Sequence, residues 1–305
     1  MFWRRRRPRY SYEVSYRDAF TLAREVIREL FNIIEKYREK GSIKEYLAAE
    51  IATLESAWTI NPLFPNLALL MSEVVESTDG SIEALEKLHE KLASTLENEI
   101  KNIKIKCINE LQSKKLKEIG ITVIGYNQII EECIESANIK NLRVNVLEFR
   151  PKGDGITMLE NLRASGVDAR LLPDYAIQQA VEEAGALIIT LDAITYDGLA
   201  LSKPPSKALA LAALESGIET IGLTTLISYQ TSLSALSAKR VPTTRLYIRE
   251  FNEYITLNLY DVLSISFVSK IINGKGVYRP EHIDVETEAY SYINEILEGV
   301  MGDIS

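Results

Sequence analysis

The residues of this chain that could do chemistry gather in one stretch, Ala186–Ser206, ALIITLDAITYDGLALSKPPS. An apolar run, Ala186–Thr190, reads as a buried strand, and it delivers one carboxylate, Asp192, just past its C-terminal end. An Asp197-Gly198 turn follows, then Ser202 and Lys203, then an alanine-rich helix over about 206–216. In open α/β sheets ligands bind beyond the carboxyl ends of strands, near helix N-termini. A lone acid and a lone amine in that place suit proton transfer or the holding of an anionic ligand. Each has a plainer role open to it. Asp192 can hydrogen-bond the turn that leads to Asp197, and Lys203 can be a solvated lysine at a helix start.

The elements around this stretch divide the chain by glycine. Only Gly41 and Gly80 precede residue 120, and thirteen of the fifteen glycines lie from Gly120 onward. The first part is therefore poor in tight turns and reads as helical; the second is punctuated like alternating strands and helices. Apolar residues at helical spacing over 16–40 (Phe20, Ala23, Ile27, Leu30, Phe31, Ile34) predict one helix. A capping box at Ser42–Glu45 predicts the next, to about Thr59, and Asn61–Pro65 breaks it. A short helix to about Ser77 precedes a long one from Ser81, with Leu85, Leu88, Leu92, Leu96, Ile100, Ile103 and Leu111 on one face. Beyond residue 120, strands are expected at 121–125, 143–148, 169–172, 186–190, 220–223 and 246–249. Helices are expected at about 127–137, 156–164, 175–184 and 206–216. This alternation implies βαβ units in a doubly wound, mostly parallel sheet. The expected organisation is a basic flexible arm over 1–15, a helical domain over 16–118 and an α/β domain over 119–305.

Composition narrows the functions. Of 305 residues 46% are hydrophobic, enough for a sizeable core, and the net charge of −8 argues against broad nucleic-acid binding. The basic start, MFWRRRRPRY, could touch RNA or an acidic partner through Arg4–Arg7 and Arg9, or be a solvated tail. Two cysteines, Cys107 and Cys133, fit a reducing cytosol, and two distant histidines make a zinc or histidine-dependent site a poor fit. No metal or cofactor is expected. No stretch approaches a membrane span, and neither GxGxxG after the first strand nor GxxxxGK[ST] is present.

Four blocks carry a resemblance: Ile121–Asn127 (ITVIGYN), Glu148–Gly155 (EFRPKGDG), Pro173–Ala176 (PDYA) and Thr190–Ser206, with a looser match over Leu259–Gly276. In that order they resemble the family of the translation initiation factor 2B alpha, beta and delta subunits. That family also contains methylthioribose-1-phosphate and ribose-1,5-bisphosphate isomerases. The resemblance covers about residues 16–280. It implies an N-terminal helical domain, a Rossmann-like C-terminal domain, and dimers or hexamers built through the latter. It also implies a phosphate site from Arg150, Gly155, Ser202, Lys203 and Ser206, with Asp192 as the catalytic acid/base if the chain is an enzyme.

The chain departs from the isomerase pattern where the chemistry lies. The family's second catalytic group, a cysteine after the first strand of the C-terminal domain, falls on Gly125, which has no side chain. Two prolines, Pro204 and Pro205, replace backbone N–H donors ahead of the phosphate-facing helix. The isomerases' N-terminal Arg-Gly loop has no counterpart in Trp58–Asn66 (WTINPLFPN). The expectation is a non-catalytic regulatory or scaffold protein. It would assemble with itself, with paralogous subunits or with translation initiation factor 2, and could sense a nucleotide or sugar phosphate. The alternative is an aldose-ketose sugar-phosphate isomerase using Asp192 with an unexpected second group such as Tyr126.

Overall fold

A computed structural model describes residues 10–12, 16–40, 43–113, 120–232, 241–248 and 252–302. The arginines of the basic start and the Ser42 of the capping box lie outside them. Four helices come first: α1 (Ala19–Tyr37), α2 (Lys44–Ser56), α3 (Phe64–Thr78) and α4 (Ile82–Ser113). Asp18 begins α1, its side chain accepting the Phe20 and Thr21 N–H groups, and so satisfies two donors that the first turn leaves open. The buried stripe of α4 runs from Leu85 through Leu88, Leu92, Leu96, Ile100 and Ile103 to Leu111, as the spacing predicts. α1 packs on α4 and α2 on α3.

The sheet that follows has seven strands. β2 (Ile121–Ile124), β3 (Arg143–Leu147), β4 (Asp168–Leu172), β5 (Ala186–Thr190), β8 (Glu219–Leu223) and β12 (Lys270–Ile272) run parallel, and β13 (Val277–Tyr278) closes one edge antiparallel. Helices α5 (Gln128–Ala137), α6 (Gly155–Ala164), α7 (Ile177–Glu182) and α8 (Ser206–Ser216) alternate with the strands. β5 is buried at every position, as a central parallel strand requires. The strand order is 13-12-8-5-2-3-4, so the chain winds outward from β2 through β3 and β4 and returns to β2's other side as β5. The order reverses between β2 and β5. Their carboxyl ends flank the crevice where open α/β sheets bind ligands.

Two small antiparallel sheets complete the fold. One has the order β11-β7-β6, from Asp261–Ser264, Leu199–Ser202 and Ala193–Ile194. The other joins β1 (Tyr10–Tyr12), β9 (Thr243–Ile248) and β10 (Glu253–Asn258). The strand expected at 246–249 is thus found at 243–248 and outside the parallel sheet; β12 pairs with β8 there instead, between it and the β13 edge. The last helix, α9 (Val285–Gly302), returns across the molecule to pack on α4 and α3.

Candidate functional site

The site is built at the crossing of β2, β5 and the first turn of α1. β5 ends at Thr190, and Asp192 follows it with no exposed surface. The Asp192 N–H donates to the Leu201 carbonyl at 2.7 Å, which fixes the backbone against β7. Its carboxyl faces away from the turn at Asp197, whose own carboxylate takes the Thr195 hydroxyl at 2.6 Å. Asp192 instead accepts the Ala19 N–H at 2.8 Å and the Tyr16 hydroxyl at 2.5 Å; the latter oxygen also lies 3.2 Å from the Thr190 hydroxyl. A carboxyl at the N-terminus of α1 is favourably placed in the field of the helix. Burial nevertheless holds it well above the ordinary carboxylate range, against the opposing hydrogen bond from Tyr16.

Tyr16 covers this acid. Its ring, 6% exposed, packs edge-on to Phe149 (centroids 5.6 Å apart) and tilted against Tyr260 (5.3 Å). Lys203, 5% exposed, lies above the same ring, its ammonium 4.9 Å from the Tyr16 centroid and 4.6 Å from that of Phe149. It donates to the Tyr126 carbonyl at 3.0 Å and stands 3.7 Å from the Asp154 carboxylate. Burial lowers its pKa, and Asp154 restores part of the loss. Lys203 is therefore a buried, paired lysine and not a solvated one.

Gly125 explains how the amine comes so close to β2. It has φ of +57°, and a Cβ there would run into the Asp154 carboxylate and come within 2.9 Å of the Lys203 ammonium. The position cannot carry a catalytic side chain without moving both charges. Asp154 also accepts the Tyr126 N–H at 3.0 Å and pairs with Lys152 at 2.9 Å, which makes it the organiser of the crevice.

The remaining phosphate candidates separate into two groups. Ser202 and Ser206 are fully buried. The Ser202 hydroxyl donates to the Thr190 carbonyl at 2.6 Å and lies 2.7 Å from the Ser206 hydroxyl, which bonds the Lys203 carbonyl. Both hydroxyls are committed to joining β5, β7 and α8. Gly155 lets α6 approach β3: a Cβ would strike the Leu147 carbonyl and lie 2.9 Å from the Glu148 Cα, and its N–H goes to the Glu148 carbonyl. Arg150 is exposed on the far side of Tyr16 and pairs with Glu148 at 2.7 Å. Asp174 accepts the Phe149 and Arg150 N–H groups at 2.8 and 2.5 Å, so it orders the start of the 148–155 loop. The Pro204-Pro205 peptide ahead of α8 is cis, as is Arg150-Pro151.

Two cavities flank Tyr16. One, about 230 Å³, lies between α1 and the N-terminus of α5. Four cations line it, Arg17, Arg24, Lys152 and Lys203, against the carboxylates of Asp18 and Asp154. The other, about 250 Å³, is walled mostly by Phe149, Pro151, Pro204, Leu257 and Leu259, with Arg150 among its lining residues. Asp192 opens onto neither. Tyr16 and Asp154 were invisible as site residues in the sequence. Tyr16 reads there as a helix start, and only its contact with a residue 176 positions away gives it a role. Among the described residues no cluster of histidine, cysteine and acidic side chains could hold a metal ion, and no helix is long and apolar enough to cross a membrane.

Fold and site together define a doubly wound α/β protein with a helical N-terminal layer and a strand-end acid at its topological switch point. A profile of the Initiation factor 2 subunit family matches residues 15–280, and the chain belongs to that family. Among curated proteins it is similar to the ribose 1,5-bisphosphate isomerase of Archaeoglobus fulgidus, 24% identical over 200 residues, which are 64% of this chain and 63% of that one. The isomerase of the same name from Methanocaldococcus jannaschii is 25% identical over 216 residues, 64% of this chain and 70% of that one. The match thus spans less than two thirds of the first relative's length. Among solved structures, Pyrococcus horikoshii translation initiation factor eIF-2B has a TM-score of 0.71 at 20% identity, covering 88% of this chain and 94% of that one. The tetrameric eIF2B beta and delta complex of Chaetomium thermophilum gives 0.67 at 14% identity (90% and 89%). The 5-methylthioribose 1-phosphate isomerase of P. horikoshii gives 0.57 at 18% (92% and 84%).

Proposed function

We propose that this chain is a non-catalytic regulatory or scaffold member of its family, whose polar cavity senses a small phosphorylated ligand. Gly125, which leaves Asp192 without a second acid/base group, carries this reading, and the Tyr16 contact on Asp192 supports it. A general acid or base must come within hydrogen-bond reach of the proton it moves. Here that reach is taken up by Tyr16 and the Ala19 N–H. The position opposite, Gly125, has no room for a second group, and losing one member of such a pair costs about 10²–10⁴ in rate. The cations around the polar cavity support an anionic ligand, a nucleotide or a sugar phosphate. The outer face of α8, where Leu211 and Leu214 are exposed, supports assembly with a second copy or a paralogous subunit. Translation initiation factor 2 is the protein partner proposed with this reading. The test is the purified chain with ribose 1,5-bisphosphate, followed by NMR. No ketose should form above the uncatalysed rate, and turnover at sub-millimolar substrate would overturn the reading.

A second reading, a sugar-phosphate isomerase, is favoured by one observation. Burial pushes Asp192, at the hydroxyl of Tyr16, and Lys203, over the face of the same ring, toward their neutral forms, and the curated relatives are isomerases by name. On that reading Asp192→Asn abolishes turnover.

A further inference from the structure

We propose that Tyr16 is a displaceable plug, so that a phosphorylated ligand larger than phosphate itself is admitted only when this ring leaves Asp192. The inference rests on the ligand-sensing part of the reading above. Tyr16 and Lys152 line both cavities, and of the two Tyr16 is the buried one, set between them. The polar cavity holds most of the cations, Arg17, Arg24 and Lys203, at one end, while Arg150 lies at the other. With the ring gone, the two volumes join over Asp192 and Lys203. The joined space has Arg17, Arg24 and Lys152 toward α1 and α5, and Arg150 with apolar walls toward β10. An extended polar ligand with an anionic group fits that shape; the separate cavities suit only compact ones.

The ring is held by contacts that can be given up without unpicking the sheet. Tyr16 precedes the cap of α1 by two residues and belongs to no helix or strand. Its hold consists of the Asp192 hydrogen bond, the Thr190 hydroxyl at 3.2 Å, two ring contacts and the ammonium above it. A ligand's anionic group can take over the ammonium, and its hydroxyls can take over Asp192. While the plug is in, only the open fraction of molecules binds, and the apparent Kd is raised in proportion. Weakening the plug therefore tightens binding without adding a contact.

Calorimetry on the full chain tests this, with inorganic phosphate and ribose 5-phosphate as probes and wild type, Tyr16→Phe and Tyr16→Ala as proteins. Tyr16→Phe keeps the ring and loses the hydrogen bond; far-ultraviolet dichroism checks that both variants fold. Ribose 5-phosphate is expected to bind Tyr16→Ala at least ~10-fold more tightly than wild type, with Tyr16→Phe between. Inorganic phosphate, which the polar cavity accommodates alone, should bind all three within about 2-fold. Equal ribose 5-phosphate affinity in wild type and Tyr16→Phe, with Tyr16→Ala equal or weaker, would overturn the plug and leave ligand sensing standing. No heat with either probe in any of the three would overturn ligand sensing, and the plug with it.

Discussion

Replacing Glu99 by glutamine should make this protein more stable at alkaline pH, although Glu99 makes a well-formed hydrogen bond. Glu99 leaves the middle of α4, and its carboxyl accepts the Leu226 N–H at 2.5 Å, just past the end of β8. The other carboxyl oxygen, Oε2, is buried without a hydrogen-bond partner, and Gly274 leaves the side chain room: a Cβ there would lie 3.1 Å from the Glu99 Cβ. Among the described residues no cation pairs with the buried charge; Glu295 opposes it and Lys275 helps slightly. Burial pushes the carboxyl from 4.5 up to about 8. Between these values the folded chain keeps a proton that the unfolded chain releases. The contribution of neutral Glu99 is therefore fully present below pH 4.5 and is lost as the pH rises to 8. At about 1.4 kcal/mol per unit, the loss across the window is roughly 3–5 kcal/mol. Glutamine cannot ionise and escapes it. Urea denaturation of wild type and Glu99→Gln from pH 5 to 9 measures the difference, in which shared contributions such as that of Asp192 cancel. The variant should begin near or slightly below wild type at pH 5 and gain steadily toward pH 8.5. A difference that stays within about 1 kcal/mol, or that turns against the variant as pH rises, refutes the reasoning.

Three further outcomes follow from the same geometry. Gly125→Ala should lower stability by about 1–3 kcal/mol in urea titrations, since the residue has a left-handed φ and its Cβ meets Asp154 and Lys203. Asn66→Ala should cost about 2–4 kcal/mol: the buried Asn66 amide donates to the Ile227 and Tyr229 carbonyls at 2.9 and 2.7 Å, and its loss would leave the first with only the Gln230 amide at 3.4 Å and strand the second. Gly155→Ala should cost at least ~2 kcal/mol in thermal melts and loosen α6 against β3, because the obstacle is backbone and cannot rotate away.

The architecture was legible where residues act locally. Alternating apolar runs and helical stripes fixed five parallel strands and the four helices between them to within about two residues, and the apolar 186–190 run placed Asp192 at a strand end. β12 was not legible, because three residues give no usable period and its place is set by pairing with β8. The 246–249 run has the composition of a sheet strand, yet its partners are β1 and β10, which no local signal announces. In the site, Asp192 and Lys203 were found from their type and position. Their meaning came from Tyr16, Phe149 and Asp154, which reach them only through the folded chain. Ser202 and Ser206 have the right type for anion contact, but the four-residue step between them brings the hydroxyls together and uses them up.

The return of α9 to α4 and α3, with β1 lying against β9, bears on how such a chain is made. Synthesis proceeds from the N-terminus, so the helices that emerge first lack one wall until residues 285–302 have been added. Tyr292, Ile293 and Ile296 are fully or nearly fully buried, and without them α3 and α4 present bare apolar surface to the ribosome's surroundings. The early helices therefore wait, partly assembled, through the translation of the whole α/β sheet. A chain stopped near residue 118 would be an incomplete layer and a chaperone client, and not a small stable domain.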